Sequence, residues 1–333
     1  MLRLPPFDYL RPSSVEEAVR MRADAGPAGQ FVAGGTDLYP NMKRRQETPR
    51  IVVDIADLPG LRGVAPGPGG GLRLGAGLRL SEVEAQRDLL AGYPAVTHAA
   101  STISTPLLRN MGTLGGNLLL DTRCNYYDQN FEWRRSIDFC MKKDGVICWV
   151  APASPRCWAV QSSDLAPLMA AMGAEVSLVG AGGERSIPAE ALYRDDGMVF
   201  TTKRPDELLT AVTLPAPDGS RAVYRKVRRR GSFDFPVLGT AVWARLSGGN
   251  GFSPVVEEIR IVLGAVASFP LRARAAEALL RGKPLTEDLI RAAADAAWRP
   301  AKPMDNTDFT LGWRKDIVRP EVARALREVG GRS

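Results

Sequence analysis

Histidine is nearly absent: the 333 residues contain one, His98. A single imidazole excludes metal centres built on several histidines and argues against a serine–histidine hydrolase. In the helix that the sequence predicts over 94–102, His98 reads as a structural residue. Long apolar runs are missing as well. The start, Met1-Leu2-Arg3-Leu4-Pro5-Pro6, has no signal-peptide core, and no stretch reaches the roughly 18 apolar residues of a membrane span, so a cytoplasmic protein without membrane contact is expected. Basic platforms interleaved with aromatics are also lacking. The net charge of +7 is spread along the chain, which speaks against nucleic acid and for a solvated basic surface that can meet an acidic partner.

Cysteine is scarce but clustered. All four, Cys124, Cys140, Cys148 and Cys157, fall within 34 residues, separated by 15, 7 and 8 residues. A chain of this length does not need disulfide staples. The spacing has no tight Cys-x-x-Cys knuckle, so Cys₄ ligation of an iron–sulfur cluster, a zinc site, or free or bridged thiols all remain open on spacing alone.

The cysteine segment is framed by two informative stretches. Before it lies Arg109-Asn110-Met111-Gly112-Thr113-Leu114-Gly115-Gly116-Asn117, a glycine-rich turn whose backbone can approach a phosphate closely. After it, Ser162-Ser163-Asp164-Leu165 reads as a capped helix start ahead of an apolar run through Met172. Nearer the N-terminus, a predicted strand over 30–33 opens through Gly34-Gly35 into a helix capped by Thr36 or Asp37, an arrangement that gathers free N–H groups and suits a pyrophosphate.

The remaining pattern is α+β and not a doubly wound nucleotide fold. A first helix is predicted from Ser13-Ser14 to about Ala25, followed by strands over 30–33 and 50–55. Pro66–Gly71 reads as a hairpin or loop, Ser81-Glu82 as a helix cap, and 174–179 and 208–214 as strands. In the last third, strands over 222–227, 238–243 and 258–263 are followed by helices over 271–280, 286–297 and 320–329, giving a three-stranded sheet backed by helices. The expected division is 1–56, 57–219 with an insertion over 121–161, and 220–333.

Val32-Ala33-Gly34-Gly35-Thr36-Asp37-Leu38, Gly112-Thr113-Leu114-Gly115-Gly116-Asn117-Leu118 and Ser163-Asp164-Leu165-Ala166-Pro167 occur in the order seen in the FAD-binding medium subunits of the molybdenum hydroxylases, and the chain resembles that family over essentially its whole length. The resemblance implies a PCMH-type, CO dehydrogenase flavoprotein-like fold of two α+β subdomains and a C-terminal domain. Most members join the second and third motifs by a short loop. The insertion here carries every cysteine and is similar to that of the flavin subunits of 4-hydroxybenzoyl-CoA reductases, which holds a [4Fe-4S] cluster. Asp121-Thr122-Arg123-Cys124-Asn125-Tyr126-Tyr127, Lys226-Val227-Arg228 and Asp234-Phe235-Pro236 resemble those subunits too.

The resemblance implies site roles. Ala33, Gly34, Gly35 and Thr36, with Thr113, Gly115, Gly116 and Asn117, would hold the FAD pyrophosphate. Asp164 would bind sugar or ribityl hydroxyls, and Lys226 would lie near the flavin ring. Val32, Asp37, Asn110 and Leu208 complete the implied FAD-binding set, while Cys124, Cys140, Cys148 and Cys157 would bind the cluster. The implied partners are a molybdopterin-binding large subunit and a [2Fe-2S] small subunit in a heterotrimer that can pair, together with ferredoxin or a similar carrier. Electrons would pass from that carrier through cluster and FAD to molybdenum for reductive dehydroxylation. An oxidative hydroxylase or aldehyde or xanthine dehydrogenase using the same subunit is the alternative, and a zinc-stapled FAD-binding module a further one.

Overall fold

The structure, a computed structural model, describes residues 2–248 and 254–332. Its first unit is a parallel sheet of β1 (Asp8–Leu10), β2 (Gly29–Val32) and β3 (Ile51–Asp54), with β3 in the centre and Tyr9 and Gln30 both opposite Val52. Parallel strands of one sheet need a crossover, and helix Val15–Ala25 supplies the one from β1 to β2, which flank β3 on either side. Ser14 Oγ accepts from Glu17 N, and Gly26 at φ +53° ends the helix. The helix buries Ala18 and Val19 in a cluster with Val53, Leu58, Leu61 and Leu208. Strand β1 was not expected from the sequence; it is three residues long and mostly exposed, too short for a periodic signal.

The second unit is an antiparallel sheet of β4 (Val64–Pro66), β5 (Leu72–Gly75), β6 (Glu175–Gly180), β7 (Gly183–Pro188) and β8 (Leu208–Leu214) in the order β4-β5-β8-β6-β7. Helix Leu165–Met172 shares one core with this sheet, all eight of its residues are buried, and Gly173 in the left-handed region terminates it. An apolar run with no polar face can only sit inside, which is why this helix forms the centre of the largest core. His98 lies on the exposed face of helix Pro94–Ser101. The expected cap at Ser81 is corrected: Leu80 is buried in the core and already begins the helix, so Arg79 takes the cap position and its N–H donates to Glu82 Oε2 at 2.8 Å.

The third unit holds β9 (Arg221–Val227), β10 (Leu238–Ser247), β11 (Val255–Gly264) and β12 (Leu271–Arg272), antiparallel in the order β12-β11-β10-β9. The sheet is four-stranded rather than three-stranded, because Leu271 and Arg272 pair with Leu263 and Val262 on the open edge of β11. The helix expected from 271 therefore starts at Arg274. With Glu287–Trp298 and Val318–Val329 it covers one sheet face and forms a second core.

The insertion folds as turns around one short helix, Phe131–Ser136, capped by Asn130 Oδ1 accepting from Trp133 N. Reciprocal bonds between Arg123 and Val160 close its base. Arg134, fully buried, donates to the carbonyls of Arg44 and Arg45, and Gln46 donates to the Tyr127 carbonyl. Asn125 N donates to Asn306 O, so the insertion is anchored to the first and third units alike.

Candidate functional site

The first glycine loop leaves β2 and enters helix Leu38–Lys43. Gly35 sits at φ +68°, where a side chain would strain the backbone, and a Cβ there would also lie 2.4 Å from the Tyr39 ring. A Cβ on Gly34 would stand 1.8 Å from the Met111 carbonyl oxygen, so the two glycine loops touch backbone to backbone. The N–H groups of Gly34, Gly35, Thr36 and Asp37 donate to no acceptor among the described residues. Neither Thr36 nor Asp37 caps the helix through its side chain: Asp37 occupies the cap position, but its carboxylate faces Arg123, 3.5 Å away, and accepts from Asn41.

The second loop is arranged differently. Gly115 N–H donates to Ala76 O at 2.7 Å, Gly116 N–H to Thr113 Oγ1 at 3.1 Å, and Asn117 N–H to Thr113 O at 2.9 Å. The N–H groups of Gly115, Gly116 and Asn117 are thus spent inside the fold, and the glycines provide closeness: a Cβ on Gly115 would be 2.8 Å from Ala76 Cβ. Asn117 Oδ1 accepts from Ser163 Oγ and Leu165 N, which pins the loop to the buried central helix. That helix is capped by Ser163, whose Oγ accepts from Ala166 N; Asp164 makes no capping bond.

These loops wall a cavity of about 830 Å³, inside the usual range of ligand pockets. Val32 through Asp37, Thr113, Gly115, Gly116, Asn117, Asp164 and Leu208 all line it. Asn110 and Lys226 do not. Asn110 follows helix Pro106–Arg109 as its C-cap, and Lys226 stands behind Asp164, donating to Asp164 Oδ2 at 2.9 Å and to Thr102 O at 3.0 Å. Tyr224 OH donates to the other oxygen of Asp164 at 2.7 Å. Burial pushes the Asp164 carboxyl up and the Lys226 ammonium down, each countered by the charge of the other.

Sequence reasoning missed part of the wall. Asp121, Arg123, Lys142, Phe233 and Phe235 line the cavity, with the Arg123 guanidinium 4.2 Å from the Phe235 ring centroid. Asp121, Arg123 and Phe235 stand in segments that carry the resemblance, which was the available signal, although no site role was drawn from them; Phe233 arrives from the β9–β10 connection, and nothing local announces it. Burial pushes the Asp37 carboxyl up to about 6, against the pull of Arg123 and with the help of Asp121 and Asp128.

The four cysteines are buried and unbridged. They line a second, small cavity together with Tyr126, Tyr127, Met141, Lys142 and Val150. Ala159 N–H donates to Cys157 Sγ at 3.4 Å, and Gly197 must be glycine, since a Cβ there would lie 2.8 Å from that sulfur. Hydrogen bonding between the two lowers the Cys148 thiol and raises Cys157, and burial raises Cys124 to about 12. Among the described residues no group of three or more His, Cys, Asp or Glu side chains is gathered tightly enough to hold a metal ion; the thiols instead surround a space. No helix among the described residues is long and apolar enough to cross a membrane.

Comparison with known proteins agrees with this geometry. Residues 5–217 match the FAD binding domain in molybdopterin dehydrogenase, and residues 222–329 match the CO dehydrogenase flavoprotein C-terminal domain. The chain is 34% identical over 328 residues to the aldehyde oxidoreductase FAD-binding subunit PaoB of Escherichia coli K12, covering 96% of this chain and 98% of that one. It is 26% identical to the glyceraldehyde dehydrogenase medium chain of Sulfolobus acidocaldarius, covering 98% and 99%. The solved carbon monoxide dehydrogenase from Hydrogenophaga pseudoflava that lacks the Mo-pyranopterin moiety superposes with a TM-score of 0.80 at 29% identity, covering 99% of this chain and 98% of its own. A two-loop cavity with free backbone donors and family matches over both halves lead to one conclusion: the chain belongs to the FAD-binding medium subunits of the molybdenum hydroxylase family, with the fold of the CO dehydrogenase medium chain.

Proposed function

We propose that this chain is the electron-transfer subunit of an oxidative molybdenum hydroxylase complex acting on aldehydes, and that it carries FAD in the large cavity and a [4Fe-4S] cluster among Cys124, Cys140, Cys148 and Cys157. The observation that carries the reading is the pair of adjoining cavities, one walled by the glycine loops and one by thiols. The aldehyde preference is supported by the two aldehyde-oxidising relatives. Substrate chemistry belongs to a molybdopterin-binding large subunit, and a [2Fe-2S] small subunit relays electrons. FAD supplies the change between two-electron and one-electron transfer.

The residues of this chain bind, orient and shield. The open N–H groups of Gly34 to Asp37 donate to the pyrophosphate, and Gly115 and Gly116 let the second loop lie against it. Asp164, fixed by Lys226 and Tyr224, accepts from ribityl or sugar hydroxyls, so Lys226 acts on the flavin through Asp164. The sulfur-directed N–H of Ala159 and the apolar lining suit thiolates bound to a metal centre. A second reading, a 4-hydroxybenzoyl-CoA reductase-like complex fed by ferredoxin, is favoured by the cysteine insertion itself. Turnover by the assembled complex separates the two: aldehyde oxidation with an artificial acceptor supports the first, while reduction of 4-hydroxybenzoyl-CoA by a low-potential donor, without aldehyde oxidation, supports the second.

A further inference from the structure

Lys142 lies in the insertion between Cys140 and Cys148, yet its side chain is only 6% exposed. Its ammonium donates to Asp121 Oδ1 at 2.8 Å, to Thr122 Oγ1 at 2.7 Å and to Gly197 O at 2.8 Å. It sits 4.7 Å from the ring centroid of Tyr127, itself buried. Lys142 and Tyr127 are the two residues that belong to the walls of both cavities. Gly197 ties the same place together: its N–H donates to Cys157 O at 3.0 Å, a Cβ on it would meet Cys157 Sγ at 2.8 Å, and the residues after it, Met198 to Thr201, line the large cavity. A thiol, a glycine, a buried cation and the flavin-side wall are therefore continuous.

A buried charge acts strongly on its neighbours, because little water intervenes. Asp121 supplies its counter-charge through Oδ1, while the second carboxylate oxygen, Oδ2, is buried without a hydrogen-bond partner. We infer that Lys142 is a positioning residue for electron flow between the two cavities: its positive charge raises the reduction potential of the redox group on either side, and with Tyr127 it forms the partition an electron crosses. The inference rests on the proposed occupants, FAD in one cavity and an iron–sulfur cluster in the other. Each transfer moves one electron from one of these groups to the other; no bond forms or breaks, and the ammonium keeps its proton. Lys142 thereby ties the two potentials together, so that reduction on either side of the wall is favoured by the same charge.

The test is a spectroelectrochemical titration of the purified holoprotein, with FAD, iron and sulfide measured on the same sample. Lys142→Met should lower the reduction equilibrium of both groups at least about tenfold, or about 59 mV for a one-electron couple. Lys142→Arg should stay within about threefold of the parent, because the charge is kept. Asp121→Asn should shift both potentials upward, since the cation then lacks its counter-charge. Unmoved potentials in Lys142→Met with both groups retained overturn the inference; if that variant cannot be loaded, an unshifted Asp121→Asn does so. Parent protein without iron and sulfide contradicts the proposed cluster instead, and the flavin potential then tests Lys142 by itself.

Discussion

Lys226 Nζ lies 2.9 Å from Asp164 Oδ2 with both side chains 3% exposed, and this ion pair joins the third unit to the central helix behind the large cavity. A buried pair that loses one member leaves a charge without compensation, at about 3–5 kcal/mol. Lys226→Met should therefore destabilise the protein by about that much, and the Lys226→Met/Asp164→Asn double variant should recover a good part of it. Denaturant unfolding of the four proteins in the cycle measures this. Equal losses in single and double variants would show that the pair contributes no coupling.

The glycine loops should differ in tolerance. A Cβ on Gly34 meets a backbone oxygen, which cannot rotate away, whereas one on Gly116 meets the Thr113 hydroxyl at 2.9 Å, which can. Gly34→Ala should force the loops apart and cost FAD affinity severely; Gly116→Ala should cost about 1–3 kcal/mol, the range of moderate overpacking. Flavin fluorescence titration of the apoprotein gives both affinities. Equal affinities for the two variants would remove the loop contact from the account.

Asp37 should make FAD retention pH-dependent. Its carboxyl, pushed up to about 6 in the fold, holds a proton more tightly than the ordinary value of 3.8, so its stabilising contribution is complete below 3.8 and is lost as pH rises through about 6. Ionisation there also adds negative charge beside the proposed pyrophosphate site. FAD binding should weaken from pH 5 to pH 7, and Asp37→Asn should flatten the profile. A parent profile that is already flat would contradict the assignment.

Arg134 should hold the insertion in place. It is fully buried, donates to the carbonyls of Arg44 and Arg45, leaves Nε and Nη1 without hydrogen-bond partners, and has Asp144 at 3.8 Å as its nearest carboxylate. Arg134→Met should expose the insertion to limited proteolysis while FAD remains bound. Unchanged cleavage kinetics would assign the anchoring to Gln46 and Asn125 instead.

Much of this was legible in the residues. The glycine motifs at 34–35 and 115–116 and the buried helix at Leu165 announced the cavity, because close backbone approach and an all-apolar helix leave few alternatives. The clustering of the cysteines pointed to a metal or cluster site; all four line one small cavity, but among the described residues they do not close into a metal-binding group. What stayed hidden depended on distant pairing. Strand β12 exists because β11 has an open edge, Lys226 faces Asp164 rather than the cavity because the third unit packs behind the central helix, and the spent donor of Gly115 depends on Ala76. No window of sequence contains those partners together.

The central claim, that one chain holds FAD beside a cluster on four cysteines, is tested most directly by cofactor analysis of the anaerobically purified protein and its Cys124→Ser, Cys140→Ser, Cys148→Ser and Cys157→Ser variants. The account predicts about four iron and about four acid-labile sulfide per FAD in the parent, and loss of iron and sulfide with retention of FAD in each variant. Zinc in place of iron, or four variants that keep the parent's iron and sulfide, would contradict it.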